Sequence, residues 1–146
     1  MLLEFSETGV VLLSQKWDWL DIIRMLVSTF LAAIYLQSGI DKIVDRQGNL
    51  DFMGEHFSGT VLAGSFRYGL AVVTVTELLA GALSAAGVAW LLLGWGIVPG
   101  IVGALFAAVS SCILMAGQRL AKDYIGATAL VPYFLVGIIG LYFYQL

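Results

Sequence analysis

From Leu78 to Gln118 the chain carries no charged side chain. A helix rising ~1.5 Å per residue needs roughly 20 residues to cross the hydrocarbon core of a bilayer, so this run is about two crossings long and has to turn back. Gly94, Trp95, Gly96 and Pro99 supply the turn, because glycine permits the reversal and proline is tolerated in the first turn of the helix that follows. One buried hairpin of a water-soluble protein would need a polar outer face, and this stretch has none. Charge is also missing between Met25 and Ile40 and from Tyr124 to the last residue, and Glu77 is alone between Tyr68 and Gln118. With 60% of residues hydrophobic and 12% charged, against about 25% charged in an ordinary soluble domain, the chain reads as an all-α integral membrane protein. It is expected to form a single membrane domain over residues 1–146, a bundle of four transmembrane helices at about 20–41, 67–92, 97–117 and 124–144, with a surface loop at 42–66.

Four crossings place both termini and the turn at Trp95 on one side of the membrane, side A, and loops 42–66 and 118–123 on the other, side B. Trp17, Trp19, Trp90 and Trp95 all fall on side A, joined by Tyr142 and Tyr144, as an interfacial aromatic belt requires. Side B collects Lys42, Arg46, Arg67, Arg119 and Lys122, whereas side A has Lys16 and Arg24. The excess of basic residues predicts that side B is cytoplasmic and that the termini lie outside. Loop 42–66 carries Phe52, Met53, Phe57 and Phe66 among its charges and is expected to lie on the membrane surface as a short amphipathic piece. Residues 1–15, with Glu4 and Glu7 and no basic stretch ahead of an apolar core, lack the pattern of a cleaved signal. They are expected to lie flat on side A, with Leu2, Leu3, Phe5 and Val10 to Leu13 as the apolar part.

The net charge of −3 is small and scattered, which argues against a nucleic-acid partner, since a phosphate-binding face needs clustered Lys and Arg. Cys112 is the single cysteine, so no internal disulfide or Cys-x-x-Cys pair can form, and His56 is the single histidine. No metal or haem site can be assembled from so few ligands in this chain alone.

The polar residues inside the apolar segments carry the chemistry. Arg24, Ser28, Leu31, Tyr35, Ser38 and Lys42 follow steps of three and four and share a face of the first helix; Arg67, Thr74, Glu77, Gly81 and Ser84, at steps of seven, three, four and three, share one on the second. Glu77 lies about ten residues, hence ~15 Å, from Arg67 and so near the midplane, where an ionised side chain costs on the order of 3 kcal/mol and needs a partner. Arg24 is the expected partner. Such a pair could bind a polar head group or relay a proton; it could equally fix helix register, or Glu77 could be protonated on Ser or Tyr while Arg24 reaches the surface. Arg24, Tyr35, Gln37 and Glu77 form the candidate intramembrane polar site. Tyr35, Gln37 and Tyr133 suit a quinone or lipid ligand, or bonds between neighbouring helices. Asp41, Lys42, Asp45, Arg67, Arg119 and Lys122 form a candidate charge cluster at the side B mouth, explained by interfacial salt bridges or by a head-group site. Gly96, Gly100, Gly103, Ala107, Ser110, Gly126, Gly137 and Gly140 permit close helix packing, within the chain or onto a partner subunit. Pro132 should kink the fourth helix and free a carbonyl near Thr128.

The phrase from Gln37 through Gly39 and Asp41 to Lys42, with Arg24 upstream, resembles the Arg then Gly-x-x-Lys pattern of the DoxX family of four-helix bacterial membrane proteins. Glu77, Gly81 and Gly87 are similar to that family's second-helix pattern, and Ala121 to Gly126 through Pro132 resembles its last helix. The resemblance covers most of residues 20–142. It implies a protein of the bacterial inner (cytoplasmic) membrane, with periplasmic termini, tied in some relatives to quinone-linked sulfur oxidation. On that footing the expected function is that of an accessory subunit of a quinone-linked respiratory or redox complex, non-catalytic by itself and docked on larger membrane subunits through small-residue faces. The alternative is a stand-alone carrier or oxidoreductase acting on a quinone or other lipid-soluble molecule, with Glu77 and Arg24 as its polar centre. Neither needs a cofactor bound by this chain alone beyond a quinone or lipid. Vitamin K epoxide reductases are similar in outline, but the paired cysteines of their chemistry are absent.

Overall fold

The computed structural model describes residues 3–12 and 15–146. Four helices in it are long and apolar enough to span a bilayer. These are α1 (Trp19–Val44), α3 (Phe66–Leu93), α4 (Val98–Leu120) and the last segment, Tyr124–Gln145, which is broken into α5 (Tyr124–Ala129) and α6 (Val131–Gln145). Helix α2 (Arg46–His56) occupies the side B connection. The chain is thus an all-α four-helix membrane bundle, with α1 packed on α3, α3 on α4, α4 on α6, and α6 returning to α1.

The ends of the helices follow local chemistry. Asp18 caps α1 by accepting the Asp21 amide at 2.7 Å, Asp45 caps α2 through the Gly48 amide at 3.1 Å, and Asp123 caps α5 through the Gly126 amide at 2.8 Å. Helix α3 ends at Gly94, whose φ of 69° is left-handed and cheap only for glycine, and the Trp95 amide closes back on the Trp90 carbonyl at 2.9 Å. Pro99 sits in the first turn of α4, and Pro132 in the first turn of α6. The kink expected at Pro132 is a full break at Leu130, where the proline ring cannot continue the ladder of α5.

The interior is built of small residues. Along α3 the buried positions Leu70, Val73, Glu77, Ala80, Ser84, Gly87 and Leu91 alternate steps of three and four, and α4 buries Gly100, Gly103, Ala104, Ala107 and Ser111, with Gly103 set against Ser84 and Gly100 against Gly87. Large side chains such as Leu26, Phe30, Val75 and Leu105 face outward. This is the arrangement lipid favours: with no hydrophobic force driving helix to helix, close backbone contact supplies the attraction. A methyl group placed on Gly81 would stand 2.5 Å from the Leu36 amide nitrogen, and one on Gly103 would stand 2.5 Å from that of Ser84. Of the glycines expected to serve either internal packing or a partner subunit, Gly103 and Gly137 are therefore used inside the chain, the latter lying against Ala108, and Gly81 is used there too.

Before α1 the structure departs from expectation. Instead of a flat apolar segment, the chain forms a three-stranded antiparallel meander, β1 (Leu3–Ser6), β2 (Gly9–Leu12) and β3 (Gln15–Asp18), with Phe5 opposite Val10 and Val10 opposite Trp17. Alternation along β2 buries Val10, and Trp17 is buried with it; Leu2 and Leu13 lie outside the described residues. Trp90 and Trp95 meet edge to face at 5.3 Å between ring centres, and Trp19 donates to the Glu7 carbonyl at 3.2 Å. Two members of the expected aromatic belt turn inward: Trp17 into the sheet, and Tyr144 into the bundle, where its hydroxyl shares a 2.7 Å hydrogen bond with Ser28.

Candidate functional site

Glu77 lies on the inward stripe of α3 and is 2% exposed. Its partner is Lys42, not Arg24: the ammonium stands 2.8 Å from Glu77 Oε2. Ser38 closes a triangle between them, donating to Glu77 Oε1 at 2.9 Å and accepting from Lys42 Nζ at 2.8 Å. Lys42 also donates to the Ser38 carbonyl at 3.3 Å, and its side chain is only 17% exposed. Both carboxylate oxygens are thus engaged, Oε1 by the Ser38 hydroxyl and Oε2 by the Lys42 ammonium.

Helical geometry explains the exchange of partners. Side chains on an α-helix lean toward its N-terminus. Lys42, in the last turn of α1, leans back into the membrane toward Ser38, one turn earlier. Arg24, in the first turns of the same helix, leans toward side A and away from Glu77. It pairs with Asp21 at 3.0 Å, donates Nε–H to the Phe143 carbonyl at 3.0 Å, and lies 5.9 Å above the Tyr144 ring. Arg24 therefore fastens the start of α1 to the end of α6, about 14 residues or ~21 Å along the helix from Ser38. Ser38 lies six residues, ~9 Å, from the end of α1, so the Glu77 carboxylate takes its partner from the side B end of that helix.

A cavity of about 370 Å³ opens beside this triangle, between α1, Glu77 of α3, Ser111 and Leu114 of α4, and the α5–α6 break at Leu130. Of the four residues expected in the polar site, Tyr35, Gln37 and Glu77 line it and Arg24 does not; Ser38, Asp41 and Tyr133 line it as well. Tyr35 is buried, and its hydroxyl is taken up by α4, donating to the Ala107 carbonyl at 2.9 Å and lying 2.6 Å from Ser111 Oγ. Gln37, Asp41 and Tyr133 are exposed and mark the mouth. The Gln37 and Tyr133 side chains make no hydrogen bond among the described residues.

The charge cluster expected at the side B mouth does not assemble. Lys42 turns inward and Asp41 lines the cavity, while Asp45 caps α2. Arg119 stacks on the Tyr124 ring at 4.8 Å. Arg67 and Lys122 are exposed, and no salt bridge joins members of this group among the described residues. Ser38 and the inward role of Lys42 went unassigned to the polar site in the sequence, although the four-residue spacing of Ser38 and Lys42 at the end of α1 signals both.

The fold and site define a class: a multi-pass, four-helix membrane protein holding a buried Lys–Ser–Glu triangle beside a polar cavity in its side B half. Comparison with family models, curated proteins and solved structures finds no match.

Proposed function

We propose that this chain binds a lipid-soluble small molecule of the quinone class, with its ring in the cavity beside Glu77. The observation that carries the reading is the buried Lys42–Ser38–Glu77 triangle set beside a cavity whose mouth holds the polar side chains of Gln37, Asp41 and Tyr133. A cavity of about 370 Å³ falls within the roughly 300–1,000 Å³ usual for ligand sites. Its chemistry suits both ends of a quinone couple. The Glu77 and Asp41 carboxylates accept from quinol hydroxyls, whereas the Gln37 amide and Tyr133 hydroxyl donate to quinone carbonyls.

The DoxX resemblance enters on the same seam. Gly39, Lys42, Glu77 and Gly81, which carry it, meet where α1 crosses α3, and the quinone-linked relatives supply the ligand class. On this reading the chain lies in a bacterial inner membrane with periplasmic termini, and its cavity serves a quinone-linked respiratory or redox system. An accessory subunit docked through small-residue faces is the weaker alternative, because Gly81, Gly103 and Gly137 are consumed within the bundle. Purification in mild detergent followed by mass spectrometry separates the two, since an obligate accessory subunit brings redox partners with it.

Isothermal titration of a short-chain quinol into the chain in lipid nanodiscs tests the proposal. Glu77→Gln should weaken binding by roughly tenfold or more, and Arg24→Gln should leave it unchanged. Equal affinity in Glu77→Gln and the parent, with helical content intact, would overturn it.

A further inference from the structure

A second cavity, of about 580 Å³, lies where α2 meets α3 and α4 on side B. Its walls sort by depth. Lys42, His56 and Gln118 each stand in or near the last turn of α1, α2 and α4, at the side B end, whereas Leu70, Val73 and Ile113 lie one to two turns deeper. The cavity is therefore mainly apolar, with Phe52, Phe57 and Leu120 among its walls, and its few polar groups, Lys42, His56 and Gln118, stand at the side B end.

Its charge is one-sided. Among the described residues, Lys42 and His56 line it and no Asp or Glu does, while the first cavity is lined by Asp41 and Glu77 and by no Lys, Arg or His. The Lys42–Glu77 pair is thus the wall between two chambers of opposite character. His56 is fixed in the wall of the second chamber: Nε2 lies 2.8 Å from Gln118 Oε1, and the ring is stacked on Phe52 at 5.6 Å and edge-on to Phe57 at 5.1 Å.

We propose that this second chamber binds a single-chain carboxylate amphiphile, a fatty acid of the surrounding leaflet, with its head toward Lys42 and His56 and its tail against Leu70, Val73 and Ile113. Polar groups confined to the side B end of an otherwise apolar chamber select an amphiphile, and the basic Lys42 and His56, with no Asp or Glu lining the chamber among the described residues, select a negative head that competes with Glu77 for the Lys42 ammonium. The bilayer offers the tail an apolar solvent as good as the cavity's, so selectivity rests on the head. Lys42 already donates to Ser38 and faces Glu77, so the bound carboxylate shares the ammonium with Glu77. This chamber is separate from the quinone site proposed above, and either can fail without the other.

The test uses the whole chain in phosphatidylcholine nanodiscs with a palmitic acid carrying a photoactivatable diazirine in its tail, followed by peptide mass spectrometry. Labelling is expected on the peptides holding Met53 to Phe57 and Ile113 to Gln118, displaced by excess oleate and not by methyl oleate. Gly69 lines the chamber and a Cβ built on it meets nothing within 4 Å, so Gly69→Phe adds bulk at the chamber wall and should cut labelling by about tenfold or more. Lys42→Met should weaken displacement by oleate by roughly tenfold. Displacement by methyl oleate as effective as by oleate, labelling undiminished in a folded Gly69→Phe, or labels confined to outward residues such as Phe30 and Leu105 would each overturn the proposal, as would native mass spectrometry showing a stoichiometric phospholipid that Gly69→Phe displaces.

Discussion

Removing Lys42 leaves the Glu77 carboxylate, 2% exposed, with only Ser38 for company. Stripping one partner from a buried ion pair costs about 3–5 kcal/mol. Lys42→Met should fall at the low end, about 3 kcal/mol, because an acid in the membrane can be carried protonated. Glu77→Gln keeps an acceptor for Ser38 and leaves Lys42 a route to the mouth, so its cost should be about 1–2 kcal/mol. In the double variant the stranded charge is gone, and the total should fall short of the sum by about 2 kcal/mol. The parallel cycle of Arg24→Met with Glu77→Gln should be additive within about 0.5 kcal/mol, since the two groups share no partner. Equilibrium unfolding in mixed detergent micelles, followed by far-ultraviolet circular dichroism, reads both cycles. Coupling between Arg24 and Glu77, or none between Lys42 and Glu77, would refute the reasoning.

Other consequences are separate. Gly81→Ala presses a methyl against the Leu36 amide and should cost about 1–3 kcal/mol, while Gly69→Ala, with open space around it, should be close to neutral; thermal melts in detergent compare them. Tyr35→Phe removes the bonds to Ala107 and Ser111 and should lower stability by about 1–2 kcal/mol, measured by the same melts. In a Cys112→Ser background, a membrane-impermeant maleimide added to intact cells should label Thr8→Cys and spare Ser58→Cys, both exposed in the structure; the reverse pattern would invert the assignment of sides.

The spans were legible because charge is so sparse in this chain that its gaps mark the helices directly, and Gly94 and Pro99 mark the turn between two of them. The partner of Glu77 was misread for a geometric reason. Depth along the chain placed Arg24 and Glu77 within imagined reach, but the lean of helical side chains toward the N-terminus sends Arg24 outward and Lys42 inward. Tyr35, Gln37 and Glu77 were legible as polar residues on inward faces, while the chamber they share depends on the break at Leu130 and on which helices are neighbours, neither of which periodicity encodes. The meander before α1 was hidden because Val10, Val11 and Leu12 read as an apolar run, and only their pairing with β1 and β3 shows the alternation of strand faces.

The most direct test of the central claim, that the cavity beside the Lys42–Ser38–Glu77 triangle takes a quinone-class ligand, is the place where such a ligand attaches. An azido-quinone photolysed with the chain in nanodiscs should label peptides containing Tyr35 to Lys42 and Leu130 to Tyr133, saturably and much less in Glu77→Gln. Labels concentrated around Arg24 or the Trp90–Trp95 turn, or labelling that never saturates, would contradict it.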